Sequence, residues 1–282
     1  MTETSQPLHH RRKHEQKIAL ITGASRGIGR CLALKLAAEG ATIVVNYRRS
    51  AELADAVVDE ARELGADGLA VQADVENPDD IVRLFGVVQS EFGRLDYFVN
   101  NAAASAFKKV LDLETHHLDR SYAMNVRPFV LGAQEAVKLM DRGGRIVAVS
   151  GYGSMRGFAA YAALGSYKAA VESFIRYMAI EFAGYGINVN GVNGGLIESD
   201  SLEYFYTMDG MAPMQSVLDT IPLKRPGTLD DMANVIEFLL SDNSSYITGQ
   251  TIVVDGGMTV SAAPYYHQTS GPLNLPDRPA AD

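Results

Sequence analysis

The sequence predicts an α/β protein: a single-domain, doubly wound fold on a parallel sheet of seven strands. Three observations carry this. Short β-branched runs alternate with longer amphipathic stretches from Lys17 to Asp255, the pattern of successive βα units. Most of the short runs are apolar throughout, as strands are when helices cover both faces of a sheet. A glycine-rich turn follows the first run and opens the first helical stretch. Hydrophobic residues make up 47% of the 282 positions and are spread evenly, so one sizeable core can be buried without covalent staples.

The strands are expected at Ile18–Thr22, Thr42–Asn46, Gly68–Gln72, Tyr97–Val99, Arg145–Val149, Asn188–Val192 and Thr251–Val254. Helical periodicity fills the intervals at Ile28–Glu39, Ser50–Leu64, Asp79–Phe92, His116–Met140 and Tyr161–Ala183. No repeat or linker interrupts the series, which predicts one domain over residues 17–260. Residues 1–16 are polar, with His9, His10, Arg11, Arg12, Lys13 and His14, and read as a flexible, solvated arm. No cysteine or carboxylate stands at ligand spacing beside the paired histidines, so no metal site is expected. Residues 261–282 hold four prolines and few large aliphatics, an irregular tail.

The net charge of -9 argues against a nucleic-acid or anionic-membrane partner. A single cysteine, Cys31, excludes an intrachain disulfide and fits a reducing compartment; its place in a helical pattern reads as a buried structural thiol. With no signal-peptide core and no uncharged run of about 18 residues, a cytoplasmic protein is expected. The regular pattern breaks between Gly194 and Pro226, after the sixth strand. Tyr204, Phe205, Tyr206, Met208, Met211 and Met214 gather there. Ligands of open α/β sheets sit beyond the carboxyl ends of the strands, so this segment, 194–226, reads as an apolar lid over a substrate.

The glycine turn is Thr22-Gly23-Ala24-Ser25-Arg26-Gly27-Ile28-Gly29. Glycines permit the tight turn and let backbone approach a pyrophosphate, whose charge is favoured at a helix N-terminus. Set between an apolar strand and a helix, the motif indicates a dinucleotide site. Its Gly-x-x-x-Gly-x-Gly spacing resembles that of the short-chain dehydrogenase/reductase family, with its Rossmann-type fold, and further matches follow in order. Asp74-Val75 resembles the family's adenine-contacting pair. Asn100-Asn101-Ala102-Ala103 resembles Asn-Asn-Ala-Gly with alanine in the last place. Asn125 matches the asparagine of the proton relay, and Gly194-Gly195-Leu196-Ile197 stands where Pro-Gly-x-x flanks the nicotinamide. The resemblance covers about Lys17 to Val260. It implies a cofactor site of Gly23, Ser25, Arg26, Gly27, Ile28, Gly29, Asn46, Arg48, Asp74, Val75, Asn101, Lys168, Gly195 and Ile197. A carboxylate ending the second strand would accept the ribose 2′-OH of NAD. Here that strand runs into Asn46-Tyr47-Arg48-Arg49, and Arg26 and Arg48 can instead grip a 2′-phosphate, so the cofactor expected is NADPH.

Carbonyl-reducing members of the family use a serine and a Tyr-x-x-x-Lys pair. Lys168 is the lysine here, but four residues before it stands Leu164, and the serine position holds Gly151. Tyr161 precedes Lys168 by seven residues, almost two helical turns, so the two share a face. The phenol then lies about one turn further from the hydride donor. That offset suits an α,β-unsaturated thioester, in which hydride adds at the β-carbon while charge gathers on the carbonyl oxygen. Tyr-x6-Lys resembles the enoyl reductases of the family. The resemblance implies catalytic Tyr161, Lys168 and Asn125, with the lysine holding the ribose and lowering the phenol's pKa. Substrate contacts are expected from Tyr152, Tyr161, Leu202 and Tyr206, and Ser150 or Ser154 is a candidate for the missing hydroxyl. Tyr167, about 100° around the helix from Lys168, is disfavoured as the acid, and His116 and His117 read as exposed or capping residues. The substrate expected is an acyl thioester on coenzyme A or an acyl carrier protein, and the assembly a homo-tetramer or dimer through the helices His116–Met140 and Tyr161–Ala183. A ketoreductase with an altered triad and a non-catalytic dinucleotide sensor are the other two readings.

Overall fold

The computed structural model describes residues 12–104, 106–141, 143–207 and 212–261. Seven strands form one wholly parallel sheet: β1 (Ile18–Ile21), β2 (Thr42–Tyr47), β3 (Gly68–Gln72), β4 (Tyr97–Asn100), β5 (Arg145–Gly151), β6 (Asn188–Gly194) and β7 (Thr251–Val254). Their order across the sheet is β3-β2-β1-β4-β5-β6-β7. The chain winds one way from β1 and then the other way from β4. The switch point lies between β1 and β4, and the crevice at their carboxyl ends is the ligand site of such sheets.

The helices are α1 (Gly27–Ala38), α2 (Ala51–Glu63), α3 (Pro78–Phe92), α4 (Thr115–Asn125), α5 (Arg127–Leu139), α6 (Ala162–Phe182), α7 (Asp200–Tyr206), α8 (Met214–Leu218) and α9 (Leu229–Leu240). Successive strand residues point to opposite faces. Ala19, Ile21, Ile43, Val45, Val147 and Val149 pack with α1, α2 and α9 on one side. Leu20, Val44, Phe98, Ile146 and Ala148 pack with α3, α5 and α6 on the other. Two cores on a doubly covered sheet explain the unbroken apolar strands.

The expected helix His116–Met140 is two helices. The first ends at Asn125, and Pro128 lies in the first turn of the second. Proline has no N–H to donate and its ring clashes with the carbonyl four residues back, so the helix must restart there. Glu114 and His117 form a capping box at the start of α4, the capping role expected for this histidine.

The reading of 1–16 as a solvated arm fails for its last residues. His14 is completely buried; its Nδ1 lies 3.1 Å from the Tyr97 hydroxyl and its Nε2 2.7 Å from Glu237 Oε1, while Lys13 Nζ pairs with the same oxygen at 2.5 Å. Burial pushes the Glu237 carboxyl up, but the hydrogen bonds from His14 and Lys13 outweigh it and hold the group at about 2. Residues 1–11 and the tail from Ala262 lie outside the described residues.

Cys31 is half-buried on α1, its Sγ 3.6 Å from Asp230 Oδ1. Burial and that carboxylate push its thiol up to about 11, so it is inert at neutral pH. No helix of the described residues is long and apolar enough to cross a membrane.

The segment 194–226 leaves β6 and carries α7 and α8, with Asp200 of α7 3.4 Å from Arg26 of the glycine turn. Its ends are tied by a parallel bridge between Ile197 and Gly227, with Gly227 N–H to Leu196 O and Glu198 N–H to Gly227 O both at 2.8 Å. Met208 and Met211 lie outside the described residues.

Candidate active site

The glycine turn at the end of β1 is a shaped cradle. Gly23 and Gly27 have φ of 64° and 58°, the left-handed region that glycine enters at no steric cost. A Cβ on Gly29 would stand 2.7 Å from Gly23 O and 2.8 Å from Asn101 Nδ2. Asn101 Nδ2 bonds the Thr22 and Gly23 carbonyls, and Thr22 Oγ1 accepts from Asn101 N–H at 2.9 Å. Ser25 and Ile28 complete the turn into α1, whose N-terminal N–H groups face the same crevice. This backbone shelf, open to an anion and closed to a side chain, fits the pyrophosphate of a dinucleotide.

Three expected cofactor residues are engaged with the protein itself. Asn46 is buried: its Oδ1 accepts from Gly23 N–H at 3.3 Å and its Nδ2 donates to the Val71 and Ala73 carbonyls. It braces the glycine turn from beneath instead of reaching outward, because three backbone groups lie within its reach. Arg26 Nη1 lies 3.4 Å from Asp200 Oδ2 on α7, and Arg48 Nη1 lies 3.8 Å from Asp74 Oδ2. Both pairs are solvated and worth little, so either guanidinium can be drawn to a stronger anion. Asp74 also accepts from Glu76 N–H, which fixes the turn holding Val75. Gly195 sits against Asp255, where a Cβ would stand 2.6 Å from the Asp255 Cβ, and Ile197 is buried beside it.

The catalytic candidates lie by the carboxyl ends of β4 and β5: Asn125 bonds Ala104 after β4, Lys168 bonds Val149 of β5, and Tyr161 packs on Gly153 after β5. Tyr161 is the N-cap residue of α6, not a residue within it; its carbonyl accepts the Gly165 N–H at 2.9 Å, so the helical spacing to Lys168 holds. Its ring lies between Phe158, with centroids 4.3 Å apart, and Phe107, at 5.5 Å. Gly153 forms the floor: a Cβ there would reach within 2.5 Å of the Tyr161 ring. Phe107 also meets Tyr204 at 6.2 Å, which brings α7 beside the phenol. Tyr152 lies beside Phe158 at 5.9 Å. Leu202 and Tyr206 are half-buried on α7. Tyr167 packs on Tyr122 of α4, away from this group.

Lys168 is buried, and its Nζ donates to Val149 O at 2.7 Å. Burial lowers its pKa to about 8, while the Glu172 carboxylate acts in the other direction. Burial raises Tyr161 to about 12, and the Lys168 ammonium donates to the Val149 carbonyl. At neutral pH the phenol therefore carries its proton and is a donor. Asn125 is buried, with Nδ2 bonded to the Ala104 and Ser121 carbonyls at 2.7 Å each; its Oδ1 is buried without a hydrogen-bond partner among the described residues. Ser150 and Ser154 both donate to Glu172.

The family profile described as Enoyl-(Acyl carrier protein) reductase matches residues 23–259. The chain is 62% identical over 267 residues to 1-cyclohexenylcarbonyl-CoA reductase of Streptomyces collinus, covering 95% of each chain. The chain belongs to the short-chain dehydrogenase/reductase family. It is also similar to a 3-oxoacyl-[acyl-carrier-protein] reductase of Synechocystis sp., at 37% identity over 86% of this chain and 97% of the relative. Among solved structures, a short-chain dehydrogenase from Burkholderia cenocepacia J2315 in complex with NADP superposes with a TM-score of 0.82 at 31% identity, covering 88% of this chain and 99% of that one.

Within this short-chain dehydrogenase/reductase, Tyr152 and Tyr161 both pack on Phe158, Lys168 is anchored on β5, and Asn125 is bonded to Ala104 after β4. Phe107, Phe158, Gly153 and Glu172 are additions. Phe107 and Phe158 lie outside helices and strands and carry no periodic signal. Glu172 was legible only as the residue one helical turn beyond Lys168.

Proposed function

We propose that the protein reduces the carbon–carbon double bond of an α,β-unsaturated acyl thioester, with NADPH as the donor. The observation that carries this reading is the placement of chemistry on α6. Tyr161, the N-cap residue of α6, stands seven residues before the buried Lys168, and the two positions that carbonyl reduction requires hold Leu164 and Gly151. The 62% identity to an enzyme named for a cyclohexenylcarbonyl-CoA supports a coenzyme A thioester with a ring in the acyl group. The aromatic walls of Phe107, Phe158 and Tyr204 suit a flat ring.

The nicotinamide, when bound, supplies the hydride that adds to the β-carbon of the substrate. The chain's own residues prepare for it. The glycine turn and the N-terminus of α1 offer N–H groups to the pyrophosphate, and Lys168 holds the nicotinamide ribose. Arg26 and Arg48 take the 2′-phosphate, each leaving a solvated carboxylate partner to do so. No acid ends β2 to repel that phosphate. Tyr161, protonated and in an apolar enclosure, donates to the thioester oxygen as negative charge develops there. A preformed donor in a water-poor pocket is worth more in this transition state than in the ground state. Asn125 Oδ1 is an acceptor that would hold a water of a proton relay between solvent and Lys168. The partner of the reaction is then a small-molecule thioester, and the exposed apolar faces of α4 and α6 (Leu118, Tyr122, Phe174, Tyr177 and Ile180) are the surfaces on which a homo-tetramer would assemble.

The test is steady-state oxidation of NADPH with crotonyl-, hexenoyl- and cyclohexenylcarbonyl-thioesters on coenzyme A and on acyl carrier protein. The coenzyme A ring substrate should give the highest kcat/KM. A ketoreductase reading is favoured by the similarity to a 3-oxoacyl reductase; activity on 3-oxoacyl thioesters alone would establish it in place of this one.

A further inference from the structure

The end of β5, the turn that follows it and the end of β6 are drawn together by one oxygen atom. Glu172 Oε1 accepts from Ser150 Oγ at 2.5 Å, from Ser154 Oγ at 2.7 Å and from Asn193 Nδ2 at 2.8 Å. Asn193 Nδ2 also donates to Ser154 Oγ at 2.8 Å. Ser150 and Asn193 are buried, so these are not solvent contacts frozen by chance. Each serine has a single hydroxyl proton, and both are directed at this carboxylate. Neither is left to donate to a substrate oxygen in place of the hydroxyl absent at Gly151. The same carboxylate is four residues from Lys168, on its side of α6.

We propose that Glu172 is a positioning residue of the reductase site: its carboxylate gathers the two serines and Asn193 that brace the turn after β5, and stands as the counter-charge of Lys168. This rests on the reading of Lys168 as the cofactor-holding lysine. Among the described residues, no carboxylate other than Glu172 acts on Lys168 through charge. β6 has no ionisable group, β5 has only Arg145 at its opposite end, and the turn has Tyr152. The helices α4 and α5 carry His116, His117, Asp119, Arg120, Tyr122, Arg127, Glu135 and Lys138, and Tyr161 caps α6; only Glu172 acts on Lys168 through charge. Burial drives the lysine toward its neutral form, and Glu172 opposes it.

The experiment compares wild type with Glu172→Gln, Glu172→Asp and Lys168→Met, measuring KM for NADPH and kcat from pH 6 to pH 9. Gln keeps an acceptor oxygen for the serines and removes the charge. The lysine should then lose its proton about one pH unit earlier. The ratio of Glu172→Gln to wild-type KM for NADPH should therefore rise about tenfold between pH 6 and pH 8.5. Glu172→Asp, which restores the charge, should bring the limb back. A constant ratio across pH, with lowered thermal stability as the only change, would make Glu172 a structural brace and overturn the proposal. Lys168→Met separates the two ways of failing. If it binds NADPH like wild type at every pH, the reading of Lys168 falls and the proposal with it. If it loses binding while Glu172→Gln follows the wild-type profile, only the role of Glu172 falls.

Discussion

Replacing Tyr161 with phenylalanine removes one O–H and leaves the ring. The ring is held by Phe158 at 4.3 Å, by Phe107 at 5.5 Å and by the bare Cα of Gly153, and phenylalanine keeps these ring contacts. The variant should therefore keep its fold and its NADPH affinity. What it loses is the donor to a developing negative oxygen. Removing one such preorganised donor typically costs roughly 2.7–4 kcal/mol, about a hundredfold to a thousandfold in kcat. Because burial holds the phenol at about 12, wild-type kcat should not fall through ionisation of Tyr161 anywhere near neutral pH. Leu164→Tyr in the Tyr161→Phe background should not restore turnover. Leu164 is buried, so a larger side chain there is overpacked, about 1–3 kcal/mol, and stands a helical turn from the site. The assay is single-turnover NADPH oxidation with an enoyl-CoA, with cofactor affinity measured separately by fluorescence. If Tyr161→Phe turned over like wild type while Tyr152→Phe or Tyr167→Phe was inactive, the assignment of the acid would be refuted.

Three further outcomes are expected. Arg26→Ala combined with Arg48→Ala should raise KM for NADPH about tenfold to a hundredfold per lost charge-assisted contact, roughly 1.5–3 kcal/mol each, and leave KM for NADH nearly unchanged; a wild type that prefers NADH would contradict it. Amide hydrogen exchange in 194–226 should be faster than in β4 and β5 and slow when cofactor and thioester are both bound; protection equal to the central strands in the free protein would remove the lid. Light scattering at micromolar concentration should give the mass of four chains, or failing that two, since Phe174, Tyr177 and Ile180 leave an apolar stripe on the outer side of α6; a monomer mass would refute it.

The central α/β frame was legible because its signals are local. The run Ile18–Ile21, the glycine turn and the spacing from Tyr161 to Lys168 each report on neighbours in sequence, and all stand where the periodicity puts them. The break at Val126 was equally local but outvoted: apolar periodicity continues across it, and only Pro128 marks the restart of the backbone. Helix α9 was also not among the stretches singled out, although Thr228 and Asp231 form its capping box. Other features depend on chain segments far apart in sequence. His14 looks like one more polar residue of an arm until Tyr97 and Glu237 close on it. Arg26 and Arg48 read as unclaimed cations, and their pairing with Asp200 and Asp74 depends on how α7 and the β3 turn lie. The hydrogen-bond partner of Lys168 is likewise set by distant segments. Sequence spacing sets which face Lys168 shares with Tyr161, but only the folded strand supplies the Val149 carbonyl that the ammonium meets.

The central claim is that this site reduces a carbon–carbon bond and spares a carbonyl. It is tested most directly by giving the purified protein NADPH with cyclohexenylcarbonyl-CoA, and separately with a 3-oxoacyl-CoA, and identifying the products by mass spectrometry. Gain of two hydrogens across the ring double bond, with the 3-oxoacyl thioester returned unchanged, is the result that the Tyr161–Lys168 spacing, Leu164 and Gly151 predict. A 3-hydroxyacyl product, with the ring thioester untouched, would contradict the account.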